Sequence, residues 1–142
     1  MTKRSYGYVP DALDARDRIY FPKVTRQTAL PPKVDLTALM PPVVDQGQLG
    51  SCTGNGIAAV VDFLHCNPKS PTKPWAGPTS RLQIYYGERV IEGTVNQDAG
   101  AQIRDGIKVV ASTGAALESL WPYAIQKFKT KPSAAAMADA AQ

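Results

Sequence analysis

Eleven residues hold the side chains best placed for chemistry: Asp45-Gln46-Gly47-Gln48-Leu49-Gly50-Ser51-Cys52-Thr53-Gly54-Asn55. Gln46 stands six residues before Cys52, with two glycines and a serine between them. The apolar and small run Ile57 to Leu64 follows, so the pattern predicts a tight loop feeding a helix with Cys52 in its first turn. Ser51 is a good N-cap, because its hydroxyl can accept a hydrogen bond from an orphan N–H of that turn. A thiol at a helix N-terminus feels a partial positive charge that favours thiolate, the nucleophilic form. Such a position suits acyl transfer. If the loop folds the Gln46 amide back beside the Cys52 backbone N–H, two donors point at one developing oxyanion.

This stretch resembles the active-site segment of papain-like (C1 family) cysteine peptidases, in the Gln-to-Cys spacing and in Gly50-Ser51-Cys52. The resemblance implies that Cys52 is the nucleophile and Gln46 the oxyanion donor. Two positions depart from the plant and lysosomal members. Leu49 stands where they carry a disulfide cysteine, and Thr53 where they carry tryptophan. Both departures look like the bacterial and viral branch. A competing pattern, Gly50-Ser51-Cys52-Thr53-Gly54 as the nucleophile elbow of an α/β-hydrolase, needs a buried strand before it. Gln46-Gly47-Gln48 is too polar for that strand.

The elements that must position these residues can be read outward from the loop. Pro41-Pro42-Val43-Val44 delivers the chain to it in extended form. A first helix is expected from about Cys52 to His65, with Ile57, Val60, Val61 and Leu64 sharing one face and Asn67-Pro68 ending it. Residues 67–78 hold four prolines and a glycine and read as a surface loop, in which Trp75 is a local anchor. A second helix is expected from about Thr79 to Ile91, capped by Thr79 or Ser80, with Leu82, Tyr85 and Tyr86 apolar and Gly93 as its stop. A third is expected from about Ala101 to Ser112, with Ile103, Ile107 and Val110 on one face and Gly114 after it. Ala134 to Gln142 has the composition of a short helix too small to be stable alone.

The resemblance continues through Val34-Asp35-Leu36, which looks like a mature N-terminus. It extends through Ser80 to Tyr86, which resembles the family's second helix, and through Glu118 to Tyr123, whose Trp-Pro-Tyr packs in the core. Together these matches cover residues 30–123. They imply an α+β family of which this chain, mainly α, is the helical left-hand half. The organisation is then a leader or prosegment-like extension at 1–30 and a papain-like half-domain at 31–142. In the family a Gly-containing strand before the third helix pairs its backbone with the substrate, which makes Ala99 and Gly100 substrate-binding candidates. Gly100 is equally suited to a simple turn. Tyr6 to Asp11 and Asp14 to Asp17 look like the short leader of bacterial members, which can lie over the cleft; a solvated tail fits the residues as well.

Composition narrows the partners. The net charge is +4, yet residues 1–33 hold seven basic and three acidic side chains, and the remainder nine of each. The body is thus neutral, with no basic face for nucleic acid. No apolar run approaches transmembrane or signal-peptide length, so no membrane partner is expected and a cytoplasmic location is the default. Two cysteines fourteen residues apart on one helix lie about 21 Å apart, too far for a disulfide. The resemblance calls for a peptide or protein substrate, no cofactor and no metal.

One part of the family's catalytic set has no match. The histidine base and the asparagine that orients it belong to a second, β-rich half, which is absent from these 142 residues. His65, the only histidine, falls about 20 Å along the first helix from Cys52. The expectation is a truncated papain-like peptidase, inactive alone, whose exposed face invites a partner chain or self-association. The alternative is a non-catalytic binding or regulatory module descended from such a peptidase.

Overall fold

The computed structural model describes residues 6–21, 31–66 and 76–141. Among the described residues four α-helices form the body: α1 (Cys52–Cys66), α2 (Arg81–Glu92), α3 (Ile103–Thr113) and α4 (Ala134–Ala140). Single 3-10 turns occur at Thr37–Leu39 and Ile125–Lys127. Trp75 lies outside the described residues.

The helix signals resolve into definite caps. Ser80, not Thr79, caps α2 by accepting the Gln83 N–H, and Gly93 ends it in the left-handed conformation at φ 71°. Thr79 instead donates its N–H and hydroxyl to Asp62 of α1. Gly114 ends α3 at φ 83°. α4 is capped by Ser133 and docks through Ala136 and Ala140, both buried. Tertiary burial thus supplies the stability that seven residues lack on their own.

Helix α2 is the hub. Leu82, Ile84, Tyr85, Glu88 and Arg89 are all buried. Leu82 and Tyr85 join Leu49, Ala101, Ala116, Trp121, Ala136 and Ala140 in the apolar core. α1 crosses α2 closely at Gly54, where a Cβ would come within 2.7 Å of the Arg81 carbonyl oxygen.

The faces of α1 and α3 depart from the expected packing. Ile57, Val60, Val61 and Leu64 do share a face, but Val60 is 57% exposed and Leu64 44%. The buried face of α1 is Thr53, Gly54, Ala58 and Asp62. Likewise α3 buries Asp105, Gly106 and Val109, whereas Ile103 and Ile107 are exposed. Small or hydrogen-bonded residues mostly face the hub, and where branched Val109 does so, Gly87 of α2 leaves it the space. The apolar stripes of α1 and α3 meet instead along one open groove of about 450 Å³ that begins at Cys52.

Two charged residues are enclosed beside the hub. The Arg89 guanidinium donates to the carbonyls of Tyr85, Val95, Gln97 and Phe128 and lies 4.0 Å over the Tyr85 ring. Glu88 accepts the Thr53 hydroxyl at 2.8 Å through Oε2, while its Oε1 is buried without a hydrogen bond. Gly106 makes the room for it: a Cβ there would come within 2.3 Å of Oε1. Burial pushes the Glu88 carboxyl up to about 8, against the lowering effect of the Thr53 hydrogen bond.

The sign of the pH dependence follows. Between the ordinary value of 4.5 and about 8, the folded chain keeps Glu88 protonated while the unfolded chain releases the proton. Stability therefore falls as pH rises through that window. Urea unfolding across this range should lose on the order of 2–4 kcal/mol from this group. Glu88→Gln should flatten the slope and leave the low-pH stability close to wild type. An unchanged slope in the variant would assign the pH dependence to another group.

Candidate active site

The loop from Asp45 to Ser51 has no strand or helix of its own and is assembled by side chains. Asp45 accepts the Gly47 N–H at 2.9 Å, and Gly47 turns the chain at φ 63°. That turn brings the Gln46 side-chain amide onto the Leu49 carbonyl at 2.9 Å. Leu49 is buried in the core, which anchors the far side of the loop. A primary amide carries two N–H donors, so one remains after the Leu49 bond is made.

Cys52 opens α1 as a half-buried, free thiol. Its backbone N–H belongs to the helix's first turn, where N–H groups have no intrahelical acceptor. Ser51 is buried, and its hydroxyl accepts from Asn55 Nδ2 at 3.0 Å and pairs with the Tyr123 hydroxyl. Since the Tyr123 proton goes to the Gln46 carbonyl, Ser51 donates to Tyr123 and ties the head of α1 to it.

Tyr123 is the residue that motif reading left without a role. Its hydroxyl donates to the Gln46 carbonyl at 2.9 Å, so it touches both ends of the loop. Arg81 stacks 4.0 Å over its ring, pairs with Glu118 at 2.7 Å and donates to Asn55 Oδ1 at 3.1 Å. The places of Arg81 and Tyr123 in the Ser80 to Tyr86 and Glu118 to Tyr123 stretches were the available signal. Only the fold shows that they converge on Gln46 and Ser51.

The segment before α3 lies on the other side of the loop. Ala99 is exposed, and Gly100 is buried at φ 74° with its N–H donated to the Tyr85 hydroxyl at 3.2 Å. Ala101, one residue beyond the predicted pair, carries the backbone pairing. Its N–H donates to Gly7 at 2.8 Å and its carbonyl accepts from Val9 at 2.9 Å, in a parallel bridge centred on Tyr8. The leader is anchored further along as well. Asp11 accepts the Arg104 N–H at 3.0 Å, capping an α3 whose own Gln102 makes no side-chain cap bond. Asp17 forms a two-pronged pair with the Arg104 guanidinium at 2.8 Å, which holds the Asp17 carboxyl below its ordinary range.

His65 lies in the last turn of α1, at the opposite end of the helix from Cys52. Among the described residues no group of three or more His, Cys, Asp or Glu side chains could hold a metal ion, and no helix is long and apolar enough to cross a membrane.

The mainly helical arrangement, with a glutamine-bearing turn leading into a cysteine at the head of α1, matches the helical half of a papain-like fold. Comparison with known proteins agrees. No family model matches the chain. It is 39% identical over 145 residues to an uncharacterized peptidase C1-like protein of Acanthamoeba polyphaga mimivirus, covering 91% of this chain and 46% of that protein. It superposes with a TM-score of 0.79 on xylellain, a cysteine protease from Xylella fastidiosa, at 42% identity over 99% of this chain and 57% of that one. Over nearly its whole length the chain is similar to these papain-like (C1) proteins, and it spans about half the length of the two relatives.

The loop's dependence on Tyr123 can be measured. Tyr123→Phe keeps the ring under Arg81 and removes both hydroxyl bonds. It should cost about 1–2 kcal/mol in chemical denaturation. A cost below a few tenths would mean that solvent replaces both bonds.

Proposed function

We propose that this chain carries the nucleophile and oxyanion donor of a papain-like cysteine peptidase. The observation that supports this most is the Gln46 amide held by Leu49 within the turn that leads to Cys52 at the head of α1. In the proposed reaction the Cys52 thiolate attacks the scissile carbonyl carbon. The second Gln46 N–H and the Cys52 backbone N–H then receive the oxyanion. Collapse releases the amine and leaves an acyl-thioester that water hydrolyses. The first stage needs a group that gives the departing amine its proton and the second needs that group as base toward water, within about 3 Å of the reacting atoms or bridged by one water. His65 is about 20 Å away by helix rise, so these 142 residues alone bind peptide but do not turn it over.

The base would come from the β-rich half of the fold, which we place on the open apolar groove along α1 and α3. That groove starts at Cys52, is lined by Val60, Leu64, Ile103 and Ile107, and is larger than isolated surface hydrophobes explain.

The leader fits a prosegment. Its pairing uses both the N–H and the carbonyl of Ala101, the groups through which an extended peptide would add to this backbone. With Ala101, the cleft-edge contacts of substrate would include Ala99 and Gly100.

A peptidyl aldehyde tests this reading without requiring the base for turnover. The thiol adds to the aldehyde carbon, and the oxygen, which takes the thiol proton, lies in the oxyanion site. Calorimetry should show binding that Gln46→Ala weakens about 10- to 100-fold and Cys52→Ala abolishes. Val9→Pro deletes the N–H that holds the leader to Ala101 and should tighten binding several-fold. Equal affinity in wild type and Gln46→Ala would remove Gln46 from the site, and equal affinity in Val9→Pro would reduce the leader to a tail.

A further inference from the structure

The nucleophile loop and the cleft-edge backbone are separate stretches of chain, and their spacing fixes where a peptide can lie. One side chain bridges them. Both Asp98 carboxylate oxygens accept the Gly50 N–H, each at 3.0 Å, two residues before Cys52. The same carboxylate accepts the Tyr85 hydroxyl at 2.6 Å, and that hydroxyl accepts the Gly100 N–H at 3.2 Å. The result is a continuous path from Gly50 through Asp98 and Tyr85 to Gly100. Tyr85 is buried in the hub helix and cannot drift. Arg89 braces the approach to Asp98 by holding the Val95 and Gln97 carbonyls.

Two further observations show that the spacing is tight. A Cβ on Gly50 would come within 3.0 Å of Asp98 Oδ1. A Cβ on Gly7 would come within 1.8 Å of the Gly50 oxygen and 2.8 Å of the Gly100 Cα. The leader's glycine thus touches both walls of a gap one backbone wide. The tie consists of hydrogen bonds from neutral donors to one carboxylate.

We propose that Asp98 is a positioning residue that sets the width of the peptide-binding gap, by tying the nucleophile loop at Gly50 to the cleft edge at Gly100 through the Tyr85 hydroxyl. This assignment rests on the peptidase reading for its functional meaning, while the tie itself does not. Loss of the carboxylate would free the Gly50 N–H and let the loop move relative to Ala101. Peptide binding, which spans both walls, would weaken. Reaction of the Cys52 thiol with a small reagent, which touches one wall, would not change.

The test uses the 142-residue chain with Asp98→Ala and Tyr85→Phe. Amide hydrogen exchange by NMR should speed up about tenfold at Gly50 in Asp98→Ala and at Gly100 in Tyr85→Phe, with α2 amides unchanged in Asp98→Ala. Peptidyl-aldehyde affinity should fall about tenfold in Asp98→Ala, while the rate of Cys52 with a small aromatic disulfide stays within twofold. Unchanged exchange at Gly50 overturns the tie. Faster exchange with unchanged aldehyde affinity overturns the positioning role and leaves a structural bond. A wild-type chain that does not bind the aldehyde defeats the peptidase reading instead, and the tie is then decided by exchange alone.

Discussion

The Arg89 guanidinium is the interaction on which the rest of the arrangement depends. A cation removed from water is costly unless every donor finds an acceptor. Here the acceptors are backbone carbonyls from three separate stretches: Tyr85 within α2, Val95 and Gln97 after it, and Phe128 near the C-terminal region. Desolvation lowers its pKa, while the nearby Tyr85, Asp98 and Glu88 oppose that shift. The arginine therefore acts as a staple. It obliges the segment after α2 to return to the hub, and that return delivers Asp98 and Gly100 to the side of the nucleophile loop.

The loop itself shows how a site can be rigid without regular structure. It has few ladder bonds to draw on, so side chains meet several of its orphan groups. Asp45 takes the Gly47 N–H, Tyr123 binds the Gln46 carbonyl and Ser51, and Asn55 reaches back to the Ser51 oxygens. Arg81 then locks Tyr123 and Asn55 against Glu118. Networks of this kind hold a geometry only when every member is satisfied. Preorganised donors are also what stabilises charge as it develops, so the scaffold and the proposed chemistry make the same demand.

Much of this was legible beforehand. The extents of α1, α2 and α3 follow from capping and glycine signals that act locally, as Ser80, Gly93 and Gly114 show. The Gln46-to-Cys52 spacing identified the loop because that chemistry tolerates few alternatives. The packing was less legible. Periodicity shows that Ile57, Val60 and Leu64 share a stripe, but not whether the stripe meets this chain's core. Here it lines an open groove, while Thr53, Ala58 and Asp62 face inward. Nothing in the sequence marks Glu88 and Arg89 as buried, since charged side chains are seldom fully enclosed. Ala101 could be found only with the leader in place, and Tyr123 only once a contact spanning 77 residues was visible.

The central claim is the proposed half-site, in which Cys52 and Gln46 together take an extended peptide within this chain. An epoxide built on an extended peptide tests it most directly, because such reagents need a positioned thiolate and are nearly inert to ordinary thiols. Purified chain should label at Cys52 and not at Cys66, and Cys52→Ala should not label at all. Equal, slow modification of both cysteines, with Cys52 still open to a small disulfide reagent, would contradict the account and leave only the family relationship.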